Sequence, residues 1–303
     1  MINDLQKKLP RTSFFSRITD SIFSVNFGFL FILLYVSFIN FFVIKATPEI
    51  ILLQFALLVI IFRRLRMKKF FITWIPFIAT FVLYEFLRSY ADNFSPFYNI
   101  TLYWVFWIEK TIFGTLPTIT LQQMIPAAHW LTQLSLFFYS IFFYYSFLIA
   151  FTIWLVDQDK FPTYFRQFLF LTYISLAVFF LIPTAPPWLA ADKFGLGVDR
   201  YLMENNILRA FPSINIYYYF VYGNPVAALP SLHTAWPLFS TLFLIKHYKK
   251  PALYLLLVIP MMIAFSVILT GEHYIIDLVA SVLVVLGSLN IKRIAPKLKH
   301  ANS

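Results

Sequence analysis

The chain of 303 residues contains no cysteine. Disulfides, thiolate nucleophiles and cysteine-based metal sites are therefore excluded. Charge is nearly as scarce. Only 12% of residues are Asp, Glu, Lys or Arg, where a soluble domain carries about 25%. Acidic residues are the rarer sign, 13 against 24 basic ones. No internal repeat and no low-complexity tract is present. What the sequence does have is apolar surface: 60% of residues are hydrophobic and the mean hydropathy is +0.76. That excludes a disordered chain and argues against an ordinary soluble domain. Length alone would suggest about two domains, but the composition points to one polytopic membrane domain. In a soluble protein a net charge of +11 would call for a test of nucleic acid. Here it matches the basic excess of cytoplasmic loops, and no nucleic-acid partner is expected.

A membrane-crossing helix needs about 20 mostly apolar residues. Eight segments qualify: 25–44, 46–62, 70–88, 131–156, 164–182, 230–246, 252–270 and 274–291. The fold class expected is therefore all-α, a polytopic membrane protein of eight transmembrane helices. The aromatic stretch 100–128 is interrupted by Glu109, Lys110, Gly114, Pro117 and Pro126 and reads as interfacial or re-entrant. Met1 to Asn26 is polar and basic without a small-residue cleavage signal, so no removable signal peptide is expected. With the N-terminus inside, the inner loops collect 18 of the 24 basic residues, among them the Arg63–Lys69 cluster. The outer ones hold Lys45, Arg88, Lys110, Lys193, Arg200 and Arg209. The positive-inside bias predicts cytoplasmic termini. It also places the long connection 183–229 outside, and a loop of that length is usually functional.

Ionisable residues inside membrane spans are costly and mark functional sites. Asp277 is the clearest, near the start of the last span, with His273 four residues before it in Gly271-Glu272-His273-Tyr274-Ile275-Ile276-Asp277. On a helix the two share a face, so the carboxylate would hold the imidazole tautomer, or the pair would merely satisfy each other's polar groups. A second cluster, Pro230-Ser231-Leu232-His233, opens the sixth span. The sixth and eighth spans run in the same direction, so both histidines are expected at one membrane depth, on the outer side. Two helix N-termini meet there, and such termini bind phosphate through free N–H groups and the helix dipole. An anionic ester at the outer leaflet fits such a site.

These clusters resemble the second and third signature motifs of the type 2 phosphatidic acid phosphatase superfamily. The chain is more closely similar to its inositol phosphorylceramide synthase-like branch. The matching residues are Pro183-Thr184-Ala185-Pro186-Pro187-Trp188, then Ala227-Ala228-Leu229-Pro230-Ser231-Leu232-His233, then Gly271-Glu272-His273-Tyr274 with Asp277. The likeness covers roughly 100–290. It implies two regions: 1–99, holding N-terminal spans and a basic inside loop, and 100–303, a helical-bundle catalytic core. It implies that His273 is the nucleophile of a phosphohistidine intermediate, that Asp277 orients it, and that His233 is general acid and then base. No metal or other cofactor is implied. The expected partners are a lipid phosphoester donor, an alcohol or water acceptor, and membrane lipids.

The chain departs from the family in two places. The phosphatase branch carries Ser-Arg seven and six residues before the nucleophile, where this chain has Ser266-Val267. The Lys…Arg-Pro first motif is also absent. Other donors must then meet the phosphate charge, and Arg209 and Lys193 are favoured among the outer basic residues because they lie on the long loop. Ser231 and Glu272 are further candidates for substrate binding. Ser231 as a hydrolase nucleophile lacks the G-x-S-x-G elbow. A metal site from His233, His273 and Asp277 is possible by ligand type but lacks the H-E-x-x-H spacing. His129 reads as interfacial, and Tyr217-Tyr218-Tyr219-Phe220 as an aromatic belt or an acyl-chain entry. The readings that compete with an enzyme are a lipid transporter or scramblase with a degenerate site, and a structural membrane subunit. The first needs polar residues at mid-depth, which the spans scarcely offer.

Overall fold

The computed structural model of the protein describes residues 67–91, 95–204 and 224–291, and there the apolar runs are helices with no strand among the described residues. In chain order they are α1 (Met67–Arg88), α2 (Tyr98–Thr101), α3 (Trp104–Phe113), α4 (Pro117–Met124), α5 (Trp130–Val156), α6 (Phe161–Leu181), α7 (Pro187–Phe194) and α8 (Tyr201–Glu204). After residue 223 come α9 (Leu232–Tyr248), a 3₁₀ turn (Pro251–Leu257), α10 (Val258–Leu269) and α11 (Ile275–Asn290). Proline starts several of these helices, at the first position of α4 and α7 and the second of α6. Its missing N–H is unneeded there.

Among the described residues, four helical stretches are long and apolar enough to cross a membrane: Lys69–Arg88, Trp130–Val156, Phe161–Leu181 and Pro251–Leu269. They match four of the eight expected spans. The expected spans 230–246 and 274–291 are the shorter helices α9 and α11, of 17 and 16 residues. The expected spans 25–44 and 46–62 and the Tyr217–Phe220 run lie outside the described residues. In 100–128 the chain forms α2, α3 and α4, none longer than 10 residues.

Burial separates the helices by role. Along α1, Phe71, Ile72, Ile75, Ile78, Val82, Leu83 and Phe86 are exposed, while Phe70, Trp74, Phe77 and Tyr84 face inward. An exposed apolar face of this size is a lipid-facing face. Helix α9 is different. Leu232, Ala235, Trp236, Phe239, Phe243 and Leu244 are all buried, and so are Thr234, Ser240 and Thr241. It is surrounded by α5, α6, α10 and α11, and a helix covered on all sides needs no polar face.

Apolar packing distinguishes poorly between helix contacts and lipid contacts, so interhelical hydrogen bonds help to fix the register. The Tyr164 hydroxyl of α6 meets Ser240 Oγ of α9 at 2.8 Å and donates to the Ser146 carbonyl of α5 at 3.1 Å. Tyr145 and Thr241 share a hydrogen bond of 2.7 Å, and the Trp236 indole donates to Thr172 Oγ1 at 3.1 Å. Around this lattice, aromatic rings from four helices interlock, including Phe239 against Tyr164, Phe168 and Phe243. Phe239→Ala is expected to leave a cavity costing about 3–5 kcal/mol. Truncating lipid-facing Phe71 should cost far less. Thermal unfolding of the two variants in detergent checks this, and equal losses would contradict a centrally buried α9.

Candidate active site

Two helix beginnings build the site. Ser231 is the N-cap of α9, which puts His233 in its first turn. Tyr274 is the N-cap of α11, which puts Asp277 at its third residue. His273 therefore precedes the helix, and this corrects the expectation that His273 and Asp277 pair along a helical face. They meet through the cap. One Asp277 oxygen, Oδ2, accepts the Tyr274 N–H at 2.9 Å and lies 3.1 Å from His273 Nδ1. Such a turn requires Gly271, whose φ is +79°, a region that side chains disfavour. A Cβ there would also approach Val198 Cγ1 to 3.1 Å and the Asp199 carbonyl to 3.3 Å.

The helix starts are joined directly. The Ser231 N–H donates to the Asp277 carbonyl at 3.4 Å, and Ser281 Oγ donates to the Ser231 carbonyl at 2.9 Å. This brings His233 Nδ1 to 3.1 Å from His273 Nε2, although the residues are 40 apart in sequence. On its far side His233 Nε2 lies 3.0 Å from the Tyr139 hydroxyl of α5. Its ring stacks on Tyr139 and packs on Phe142, with centroids 4.8 and 4.3 Å apart. Tyr139, His233, His273 and Asp277 thus form one chain of hydrogen bonds. Asp277 is fully buried and His273 is 5% exposed.

The Pro183–Trp188 run walls one side. The Thr184 N–H donates to the Val226 carbonyl at 2.7 Å, the Ala185 N–H to Leu102 at 2.8 Å and the Trp188 N–H to Gly271 at 3.1 Å. Arg200 lies over the Trp188 ring at 4.2 Å and pairs with Glu272 at 2.7 and 3.3 Å. Glu272, a candidate for substrate binding by sequence, is in the turn before α11 and holds this arginine. Gln122 of α4, unremarked in the sequence, makes three hydrogen bonds. Its amide donates to the Asp199 and Leu269 carbonyls at 2.7 and 2.9 Å, and its oxygen accepts the Asp199 N–H at 2.9 Å.

Of the residues singled out from sequence, His233, His273, Asp277, Ser231 and Glu272 come together. Ser231 is fully buried at the cap of α9, and its hydroxyl has no hydrogen-bond partner among the described residues. Lys193 is exposed near the end of α7, and nothing among the described residues joins it to the histidine pair. Arg209 lies outside the described residues. His129 is the N-cap of α5, its Nδ1 accepting the Leu131 N–H at 3.2 Å. Among the described residues no three His, Asp or Glu side chains converge as a metal site would require.

The model of the PAP2 superfamily matches residues 104–291, well over half of the chain. The chain belongs to the PAP2 superfamily. An uncharacterized protein of Methanocaldococcus jannaschii is 33% identical over 72 residues, which cover 23% of this chain and 28% of that protein. The chain thus spans less than a third of that relative's length. No solved structure matches it. PAP2 membership and the long apolar helices make this an integral membrane protein of a superfamily whose enzymes act on phosphoesters.

Within the PAP2 region, α3 reaches the site through Glu109. Its carboxylate accepts the Ile275 N–H, the first of α11, at 2.7 Å, and the residue is 1% exposed. Burial pushes its pKa up from 4.5 to about 7, and the charge of Asp277 adds to the rise while the Ile275 and Ile276 N–H groups oppose it. Between pH 4.5 and about 7 the folded protein thus holds a proton that the unfolded chain has released. Stability contributed by this group falls as pH rises through that window and levels off above it. Glu109→Gln keeps an oxygen for the Ile275 N–H and removes the titration. Its melting temperature should therefore decline less than that of the wild type between pH 5 and 7.5, and an unchanged slope would show that Glu109 does not carry the dependence.

Proposed function

We propose that the protein is a membrane phosphotransferase or phosphatase that acts on a lipid phosphoester through a phosphohistidine on His273. The observation that supports this reading best is the 3.1 Å approach of His233 Nδ1 to His273 Nε2, with a carboxylate on the other nitrogen of His273. A carboxylate at Nδ1 keeps the proton there, so Nε2 presents its lone pair. That lone pair attacks phosphorus as the bond to the leaving oxygen breaks. His233 supplies a proton to that oxygen, and the neutral ring then takes one from the acceptor hydroxyl. The acceptor oxygen displaces Nε2, whose electron pair returns to the ring. Splitting the transfer this way suits a poor nucleophile such as an alcohol or water. A phosphoryl group entering between the two nitrogens replaces their direct hydrogen bond, with each reacting contact near 3–3.5 Å.

Water as acceptor makes the enzyme a phosphatase, and a second alcohol makes it a transferase. The motifs shared with the inositol phosphorylceramide synthase-like branch favour transfer of a phospho-headgroup. In this reading the full chain crosses the membrane eight times with both termini cytoplasmic, and the site opens to the outer or lumenal face. The basic residues of the inner loops support that orientation.

The purified protein should be incubated with phosphatidic acid and with a phosphoinositol lipid, each with and without an acceptor alcohol. Free phosphate from phosphatidic acid, or inositol phosphate from the phosphoinositol lipid, with no new ester marks hydrolysis, and a new phosphoester of the added alcohol marks a transferase. Labelled donor should leave an acid-labile phosphoryl group on the wild type and none on the His273→Asn variant. His233→Asn should lower kcat by about 10²–10⁴-fold, the usual worth of a positioned acid–base group. Full turnover in either variant would refute the mechanism.

A further inference from the structure

The hydrogen-bond chain that ends at Asp277 begins at a residue with no part in the reaction as described. We propose that Tyr139 is a positioning residue that holds the outer nitrogen of His233 through both proton transfers. The inference rests on the phosphotransfer reading of the two histidines. Its evidence is the 3.0 Å contact between the Tyr139 hydroxyl and His233 Nε2, and the stacking of the two rings with centroids 4.8 Å apart.

The roles follow from tautomer logic along the chain. The Asp277 carboxylate accepts from His273 Nδ1–H, so His273 Nε2 is bare and accepts. His233 Nδ1 is then the donor between the rings. When His233 is neutral in this state its Nε2 is bare, and the Tyr139 O–H donates to it. When His233 is charged, Nε2 carries a proton and the Tyr139 oxygen accepts it. A phenol hydroxyl can rotate to serve both cases, whereas a carboxylate, a lysine or a phenyl ring cannot.

The second case matters for the chemistry. A charged His233 gives its Nδ1 proton to the leaving oxygen. The ring that remains keeps its proton on Nε2, held by the Tyr139 oxygen, and its bare Nδ1 faces the phosphoenzyme. That is the tautomer needed to take a proton from the incoming hydroxyl. No tautomer exchange or ring flip is required between the two halves of the reaction. Phe142, packed on the ring at 4.3 Å, limits its movement from a second side.

Tyr139→Phe keeps the ring stacking and removes only the hydroxyl. The test compares kcat/KM, which reports the steps through departure of the leaving group, for an alkyl ester and an activated aryl ester. The probes are dodecyl phosphate and 4-nitrophenyl phosphate as monoesters, and didodecyl phosphate and 4-nitrophenyl dodecyl phosphate as diesters. The pair that the wild type turns over is used. Alkoxide departure needs a proton, and nitrophenolate departure does not. The variant is expected to lose roughly tenfold or more on the alkyl ester, the scale of one charge-assisted hydrogen bond, and less than about twofold on the aryl ester. An equal loss on both would indicate a structural role, and no loss on either would show that the hydroxyl is idle. Each result overturns the inference while leaving the histidine mechanism intact. A wild type that turns over none of the four esters, or a His273→Asn variant that matches it, overturns the phosphotransfer reading and the role of Tyr139 together.

Discussion

Everything about the site depends on holding the beginnings of two helices side by side inside an apolar bundle. Helix starts carry unpaired N–H groups, and hydrocarbon gives such groups no water to bind. Here part of that demand is met from neighbouring elements. The Ser231 N–H goes to the Asp277 carbonyl, Ser281 returns a hydroxyl to the Ser231 carbonyl, and Glu109 accepts the first N–H of α11. Separating α9 from α11 would strand the Ser231 N–H and take the Ser281 hydroxyl from the Ser231 carbonyl. The same contacts set the approach of the two imidazoles, so the requirement that stabilises the fold here is also the one that aligns the chemistry.

The surrounding bundle sets the register of that alignment. Helix α9 has neighbours on every side, and hydroxyls of Tyr145, Tyr164 and Thr172 tie it to α5 and α6. Such bonds are individually modest in a membrane, about 0.6 kcal/mol on average. Their value lies in register. A one-residue rotation of α9 turns His233 by about 100°, away from both Tyr139 and His273. Polar residues buried at this depth thus specify which face of an otherwise uniformly apolar helix meets its neighbours.

The sequence reveals much of this and conceals a definable remainder. Long apolar runs announced the helices, and two histidines with an aspartate stood out because so few ionisable residues interrupt those runs. Their convergence was legible from helix direction alone. The local route was not, because helical spacing implied a shared face, whereas His273 precedes α11 and reaches Asp277 through the capping turn. Tyr139 is one of 18 tyrosines in a chain full of aromatic rings, and nothing in its neighbourhood marks it. Glu109 does leave a signal, a carboxylate in an aromatic stretch, but by sequence alone it looks the same as any other break in that stretch. Long-range pairs such as Glu109 with Ile275, or Gln122 with Leu269, leave no periodicity to detect.

Where the family resemblance would place an arginine, this chain has Val267. Val267 is fully buried, and its carbonyl accepts the N–H groups of both Glu272 and His273 at 3.0 Å. The backbone of this position thus supports the turn that carries His273, and its side chain brings no charge. Two guanidinium groups approach the histidines from other elements. Arg200 pairs with Glu272, the neighbour of His273, and Arg88 of α1 lies close enough to act electrostatically on His233. Each already holds a carboxylate, Arg88 that of Glu85 at 2.7 Å. A guanidinium paired one-to-one with a carboxylate adds no net charge. Neither ion pair by itself replaces the cation that is missing at Val267, so an incoming phosphate would have to compete with Glu272 or Glu85 for its donors.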